Sequence, residues 1–466
     1  KTNLDILTIK GIPAFMGEVD IVRTLLLLPG VTTVGEGASG FNVRGGSIDQ
    51  NLILIDETPI YNISHLFGIF SGFNQDLIQD VTLMKGGIPA QYGGRLSSVL
   101  DVKTREQVQD KFSGKGGIGL IASRLTLDIP VIKDKLSVTL GGRISYSDYL
   151  MRLLPDAELS NSSAWFYDAN AKVNYSINKK NTMHISYYSS KDEFVLPSDT
   201  AYNWGTNNLS VRWNHLFGEN LVGSLTGAIS RYQYGVGNEE NNYAFDWDAG
   251  IDNKSLKADF SWGTGENNKL NFGGNYIRYS FLHGDLVPGE QSSVLPISIS
   301  DEYANEFAVY AGDEWAISDK FSMMGGIRYS YFQKTGPSEV NIYEEGLPLS
   351  EESFIDVETY EKGEVIEAYG GLEPRLSFRM GLPLNSSLKF SYNRMYQYIH
   401  LLSNTMAVTP IDIWKPSGLY IRPQFSNQYS VGYFKNFLEN SIETSVEVFY
   451  KDITDLLEYK DGARLV

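Results

Sequence analysis

Apolar and polar residues alternate strictly along most of this chain. Leu136, Val138 and Leu140 interleave with Ser137, Thr139 and Gly141, and Leu209, Val211 and Trp213 with Ser210, Arg212 and Asn214. The same holds for Leu256, Ala258, Phe260 and Trp262, and for Ile442, Thr444, Val446 and Val448. A period of two puts successive side chains on opposite faces of an extended chain, so each segment predicts a strand with one apolar and one polar face. Tight turns are expected at Ile132–Lys135, Asn178–Asn181, Phe217–Asn220, Thr264–Lys269, Ser318–Lys320, Pro383–Ser386 and Leu438–Asn440. Longer loops fall near 148–162, 193–203, 236–247, 283–303, 333–366 and 401–424. Short turns at one end and long loops at the other are the habit of a transmembrane barrel. The strands run past the ~9–11 residues that cross a bilayer at a tilt, whereas soluble sandwich strands average about 5–6. Trp165, Tyr167, Trp213, Tyr329 and Tyr331, near strand ends, suit interfacial girdles.

The first 110 residues follow a different pattern. Val19–Leu28 has helical spacing and stops at Pro29-Gly30. Phe41–Arg44 and Leu52–Asp56 read as short strands between Gly-rich turns, and Ser98–Thr104 as a last strand. Asp76–Gln79 reads as a short helix leading into a strand at Val81–Lys85. The expected fold is therefore an all-β membrane protein: a large antiparallel transmembrane β-barrel over 111–466, preceded by a compact N-terminal α/β unit over 1–110. About fifteen strands are present, whereas plugged barrels close with about 22. Because strand edges must pair inside lipid, the C-terminal third of the barrel is expected to lie beyond Val466.

Composition narrows the classes. The 466 residues carry a formal charge of −17, 13% aromatics, no cysteine and a mean hydropathy of −0.21. No run of about 18 apolar residues exists, so helical membrane spans are excluded. The acidic balance argues against nucleic acid. Absent cysteines exclude disulfide scaffolds and thiolate metal sites. Lys1 begins no secretory segment, so the start reads as processed or trimmed.

The order of motifs carries a resemblance. Pro29-Gly30-Val31 is followed by Phe41-Asn42-Val43-Arg44-Gly45-Gly46 and Asn51-Leu52-Ile53-Leu54-Ile55-Asp56. Then come Ile78–Lys85, Gly86-Gly87-Ile88-Pro89-Ala90-Gln91-Tyr92-Gly93-Gly94-Arg95 and Val99-Leu100-Asp101-Val102-Lys103-Thr104. Over residues 11–105 this resembles the plug of TonB-dependent outer-membrane receptors, and Tyr61–Asn74 resembles a Bacteroidota branch of them. The resemblance implies that the α/β unit over 1–110 is a plug domain in the barrel's lumen, and that the protein is an importer in the outer membrane, in contact with its lipids. Such an importer binds a siderophore, metal chelate, glycan or peptide outside, and TonB opens its plug with the proton-motive force. The chain departs from the pattern in lacking a TonB box; Thr2–Ile9 reads at most as a remnant of the plug's first strand. Leu54-Ile55-Asp56-Glu57-Thr58 also departs from the Val-Val-Asp-Gly-Val run of the glycan-importing branch, which makes a surface lipoprotein partner a weaker expectation.

Candidate ligand contacts lie at the plug apex, in Val34–Gly40 and Ile60–Asn74: Glu36, Ser39, Tyr61, Asn62, His65, Phe67, Phe70 and Phe73. Aromatic faces beside a few polar groups suit an amphiphilic ligand; the plain alternative is that each phenylalanine simply packs the plug against the wall. The expected plug–barrel interface comprises Arg44, Gly45, Gly46, Asp56, Lys85, Gly86, Gly87, Tyr92 and Arg95. There Arg44, Lys85 and Arg95 are expected to meet carboxylates. The loop 333–366, with Glu344, Glu345, Glu351 and Glu352, reads as a lid or as a solvated loop. Five scattered histidines offer no metal site. No Gly-x-Ser-x-Gly elbow or Gly-Lys-Ser/Thr cradle is present, so neither a cofactor nor an enzyme is expected. The competing readings are a plug-containing barrel with a structural or secretion-associated role, and a soluble carbohydrate-binding β protein.

Overall fold

In a computed structural model of the chain, the described residues are 2–4, 11, 18, 20–33, 40–153, 155, 160–197, 200–240, 242–403, 409, 411–438 and 441–458. The N-terminal unit is built on a five-stranded sheet in the order Thr2–Leu4, Ile78–Met84, Ser98–Thr104, Asn51–Ile55, Thr58–Pro59. One pairing in it, between Asn51–Ile55 and Ser98–Thr104, is parallel. A short helix, Ile21–Leu26, lies against this sheet, capped by the Asp20 carboxylate on the Arg23 amide. It ends at Leu26, short of the expected stop at Pro29-Gly30, where Gly30 turns at φ +75°. Ile21 and Leu25 meet Phe41, Val43, Ile53, Ile55, Val81, Leu83, Leu100 and Val102 in one core. Val99, on the other face of its strand, packs with Met84, Ile88 and Leu96 against Met395 of the wall. This strand is buried along nearly its whole length, so the polar Asp101 and Thr104 are covered together with Val99, Leu100 and Val102.

The expected helix at Asp76–Gln79 does not form. The Asn74 side chain accepts from the Asp76 amide and sets a turn, and the chain enters its strand at Ile78.

From Ser113 onward the chain builds a 17-stranded sheet whose pairings are all antiparallel, nearly all between sequential neighbours. Two of these strands, Asp285–Pro288 and Ile297–Ser298, are short and belong to a loop, which leaves fifteen in the wall. The tight turns fall where alternation ends: 132/136, 178/181, 216/221, 263/268, 318/321, 382/386 and 437/442. One expected loop is shorter than its sequence implies, because strands run to Val195 and resume at Thr200.

The alternation has an inverted sense. Thr126, Ser137, Thr139, Thr206, Asn208, Ser210 and Ser230 are buried, while Leu125, Leu140, Leu209, Val211, Val309 and Ile327 point outward and are exposed. A sheet with its polar face covered and its apolar face bare is made for lipid outside. Trp213, Trp262 and Trp315 lie exposed close to the tight turns. The wall encloses the N-terminal unit: Arg124 near its start reaches Asp76, and Glu447 near its end reaches Arg44.

This orientation makes a prediction. Ile327→Arg, near the middle of its outward face, should destabilise the folded protein in lipid vesicles by about 2–4 kcal/mol. The equivalent change in detergent-free buffer is not the test; equilibrium unfolding in vesicles is, and an unchanged midpoint would contradict an outward lipid face.

Candidate functional site

The plug apex faces a hairpin that belongs to a loop. Ile399–Leu402 pairs with Ile413–Pro416, and instead of projecting outward this hairpin folds into the lumen. Tyr398, Ile399, His400, Ile413 and Trp414 are all buried, and Tyr398 stacks on Phe332 with centroids 5.0 Å apart. The Asp49 carboxylate of the plug accepts from Gln397 Nε2 at 2.8 Å, and Gln50 Nε2 donates to Gln424 at 3.2 Å. These bonds tie the plug to the base of the hairpin. The loop 333–366, by contrast, is an outward hairpin with Phe354, Ile355 and Val357 exposed. The cover over the plug is therefore the hairpin of Ile399–Leu402 and Ile413–Pro416.

Between hairpin and plug lies a cavity of about 650 Å³, lined by Asp49, Tyr61, Asn62, Arg95, Tyr232 and Trp414 among others. Tyr61 meets the Trp414 ring edge-on at 5.2 Å, and its hydroxyl accepts from Asn253 at 3.2 Å. Burial pushes the Tyr61 hydroxyl up to about 12, so it stays protonated and keeps a proton to donate. Asn62 reaches the Tyr232 hydroxyl and caps Ser64.

The other expected apex residues take different places. Glu36 and Ser39 lie outside the described residues. Phe67 packs among Phe194, Tyr202 and Trp204 of the wall. Phe70 is buried against Phe166, and Phe73 sits in the plug core. His65 is only 1% exposed, stacked on Phe166 at 4.2 Å and hydrogen-bonded through Nδ1 to Asp192 at 2.7 Å. Its Nε2 stands 3.5 Å from Asp168 without forming a hydrogen bond. Tyr61 and Asn62 thus line the cavity, while His65, Phe70 and Phe73 are placed in packing.

The seam between plug and wall is polar. Arg44 pairs with Glu447 at 2.7 Å and also donates to the Lys85 carbonyl. Asp56 is held by Lys172 at 2.9 Å and by Ser186 and Thr104. Burial alone would raise the Asp56 carboxyl, but Lys172 and the two hydroxyls outweigh it and hold it below the usual carboxylate range. Glu57 pairs with Lys257 at 3.2 Å and Arg212 at 3.6 Å. Arg143 links Asp168 at 2.6 Å, Glu18 at 3.6 Å and the Ser71 carbonyl.

Two expected carboxylate contacts are not made. Lys85 Nζ donates to the Pro29 carbonyl at 2.6 Å, because Gly30 turns that carbonyl towards it in place of a wall acid. Arg95 donates to the Gly94 carbonyl and lies 5.2 Å from the Trp414 ring, with no carboxylate in ion-pair reach among the described residues. Tyr92 bonds Asp101 within the plug and lies 5.8 Å below Lys257 Nζ.

The glycines serve close approach. A Cβ on Gly86 would come within 3.0 Å of Ser391 Oγ, and one on Gly87 within 3.2 Å of Ser377 Oγ, both on the wall. Gly46 abuts Ser97 inside the plug, while Gly45 turns at φ +72° into open space. The wall partners Arg143, Asp168, Asp192, Lys172, Arg212, Lys257 and Glu447 escaped sequence reasoning. Their signal was a charged residue in the polar register of a strand, which an isolated barrel would have no reason to bury. Among the described residues no group of three or more acids and histidines converges on a metal position.

The His65 site makes a pH-dependent prediction. Burial by itself would lower the imidazole, but Asp192 and Asp168 raise it on balance above its ordinary 6.5, against the opposing charge of Arg143. A raised value means that this stabilisation is complete below about pH 6.5 and is lost as pH rises through the folded value. His65→Gln should therefore destabilise most at acidic pH, and the gap to the native chain should narrow as pH rises. Denaturant unfolding across pH 5–9 checks the sign; a gap that widens with pH would overturn it.

Comparisons place this architecture among known proteins. A family model described as "TonB dependent receptor-like, beta-barrel" matches residues 153–464, and "TonB-dependent Receptor Plug Domain" matches residues 4–98. No curated protein matches the sequence. Among solved structures, the siderophore receptor PirA from Acinetobacter baumannii superposes with a TM-score of 0.68 at 13% identity, covering 98% of this chain and 70% of that one. The ferric yersiniabactin uptake receptor FyuA from Yersinia pestis gives 0.67 at 12%, covering 98% and 72%. The hemophore receptor HasR from Serratia marcescens, in complex with its hemophore HasA and heme, gives 0.64 at 12%, covering 97% and 72%. At such identities the likeness speaks for fold alone. With the barrel model spanning most of the sequence and the plug model preceding it, the chain belongs to the TonB-dependent receptor family, whose barrels are outer-membrane proteins.

Proposed function

We propose that this chain is an energised importer of the outer membrane, bringing in a scarce nutrient as an amphiphilic chelate. The observation that carries the reading is the outer cavity. It combines three aromatic rings (Tyr61, Tyr232, Trp414), one guanidinium without a carboxylate partner (Arg95) and the carboxylates Asp49 and Asp412. Such a surface offers stacking faces for planar groups and a few fixed polar contacts for orientation. The structurally similar receptors include a siderophore receptor and a ferric yersiniabactin uptake receptor, and a metal chelate is the ligand class that we favour over a glycan or a peptide.

In this reading the ligand settles between hairpin and plug apex, and TonB, driven by the proton-motive force, pulls on the plug from the other side. The N-terminal strand Thr2–Leu4 is held by only three residue pairs to Ile78–Met84. A pull there peels a short edge strand first, which costs little. The residues bound to the wall then face polar partners that water replaces as they separate.

Two measurements test this. Cells depending on this receptor should accumulate ferric chelate and grow under iron limitation only with TonB present; uptake that persists without TonB would sink the reading. Tyr61→Ala should weaken chelate binding to the purified receptor about tenfold or more, the equivalent of ~1.4 kcal/mol. Unaltered binding in titration calorimetry would move the site elsewhere.

A further inference from the structure

Behind the outer cavity lies a second one, between plug and wall. The two share Leu52, Pro59, Tyr61 and Arg95 as a common boundary. A third space of about 320 Å³ adjoins the second at Gln91 and continues towards Glu314 and Met324, near the short-turn end. The seam is thus not uniformly packed. It holds a file of three spaces, the middle one near the midpoint of the strands.

That middle chamber has donors without acceptors. Arg328, 2% exposed, lines it, and its Nε and Nη1 make no hydrogen bond. The reason lies in its neighbours. Glu373 Oε2 is taken by Arg375 at 2.9 Å and Oε1 by Ser330 at 3.0 Å, so Arg328 Nε stands 3.5 Å away unbonded. Glu306 accepts from the Tyr279 hydroxyl at 3.1 Å and lies 3.9 Å from Arg328 Nη2, which bonds Asn275 instead. A buried donor left unmade costs about 1–3 kcal/mol, more for a charged group. Gly93 presses its backbone on this guanidinium, and a Cβ there would collide with Nε. Across the boundary stands Arg95, the other guanidinium without a bonded carboxylate.

Arg328 with its unbonded N–H groups and Arg95 without a carboxylate partner, both lining one space, match a planar, doubly accepting anion. We infer that the middle chamber is a second binding station, distinct from the outer cavity, which takes a carboxylate group of the incoming ligand on Arg328 and Arg95. The inference rests on the importer reading for its purpose, and on Arg328 for its chemistry. A ligand that carries carboxylates would hand one of them inward past Tyr61 as the plug yields. A neutral chelate would find no acceptor-for-donor exchange in the chamber and would gain nothing there.

Crystals of the full chain soaked in bromide, with and without citrate, test it directly. The expected result is an anomalous bromide peak in the chamber, in hydrogen-bond reach of Arg328 and Arg95, that citrate displaces. Arg328→Gln should cut its occupancy about tenfold or more. Arg328→Lys, which keeps the charge beside Glu306 and Glu373, controls for folding and should retain part of the peak. Gly93→Ala should weaken it by driving the guanidinium aside. No peak in a protein that folds and imports overturns the station alone, and so does a peak that citrate leaves in place. Failure of the importer reading is seen separately, as cells that accumulate no chelate through TonB whatever the bromide shows.

Discussion

A wall that offers its apolar half to lipid must turn its polar half inward, and the rest of the structure answers to that constraint. An empty lumen of this width would be a water-filled pore. Here the plug fills it, so the plug must offer polar partners to much of the wall, beside apolar patches such as Val99 on Met395, while keeping an apolar core of its own. The chain meets both demands with one small sheet. Val81, Leu83, Leu100 and Val102 face the plug's own helix, whereas Arg44, Asp56, Glu57 and His65 face the wall. Burying ions is costly unless each finds several partners. Asp56 shows the solution, with one ammonium, two hydroxyls and an amide on a single carboxylate. A seam built this way is firm when dry and dissolves readily once water enters, which an apolar seam would not.

The turn after Asn51–Ile55 shows how far the chain goes to keep such contacts. Asp56 and Glu57 have φ of 46° and 71°, a region where glycine sits without strain. Neither is glycine, because each side chain is needed: Asp56 for Lys172 and Glu57 for Lys257 and Arg212. Burial opposes ionisation of Glu57, yet Lys257 foremost, then Arg212, hold its carboxyl below the ordinary range. The departure Asp56-Glu57-Thr58 from a related branch's Asp-Gly therefore has a structural meaning. A backbone penalty of about 1–3 kcal/mol is exchanged for two more anchors on the wall.

Much of this was legible in the sequence, and the exceptions have physical reasons. Period-two alternation located the wall strands and the tight turns because each strand has a covered and a bare face. It could not tell that the polar side was the covered one; only long strands and lopsided loops hinted at that. The helix at Ile21–Leu26 was legible from its stop at Pro29-Gly30, but Asp76–Gln79 was misread because the Asn74 turn competes with a helix over so short a span. Site partners were hardest. Arg44 and Glu447, or His65 and Asp192, lie hundreds of residues or a whole strand pair apart, and a single sequence carries no record of such pairing. Arg95 was placed in the seam on its motif, yet its partner is the ring of Trp414, from a hairpin whose inward fold nothing in the loop's composition announces.

The same contacts connect the residues before the plug helix to the apical loop. Asp20 caps the plug helix with one oxygen and holds the Ser71 amide with the second, at 3.0 Å each. Ser71 belongs to the segment that carries Tyr61, Asn62 and His65, and its carbonyl is gripped by Arg143 of the wall. Arg143 in turn holds Asp168 and Glu18, so the residues before the helix and those at the apex share one wall side chain. Under the importer reading proposed above, a pull that displaces Glu18 is felt first at Arg143, which also holds the Ser71 carbonyl, and not in the apolar core of the plug. In that reading, plug movement and ligand release are coupled through ions that water can take over, rather than through packing that would first have to unfold.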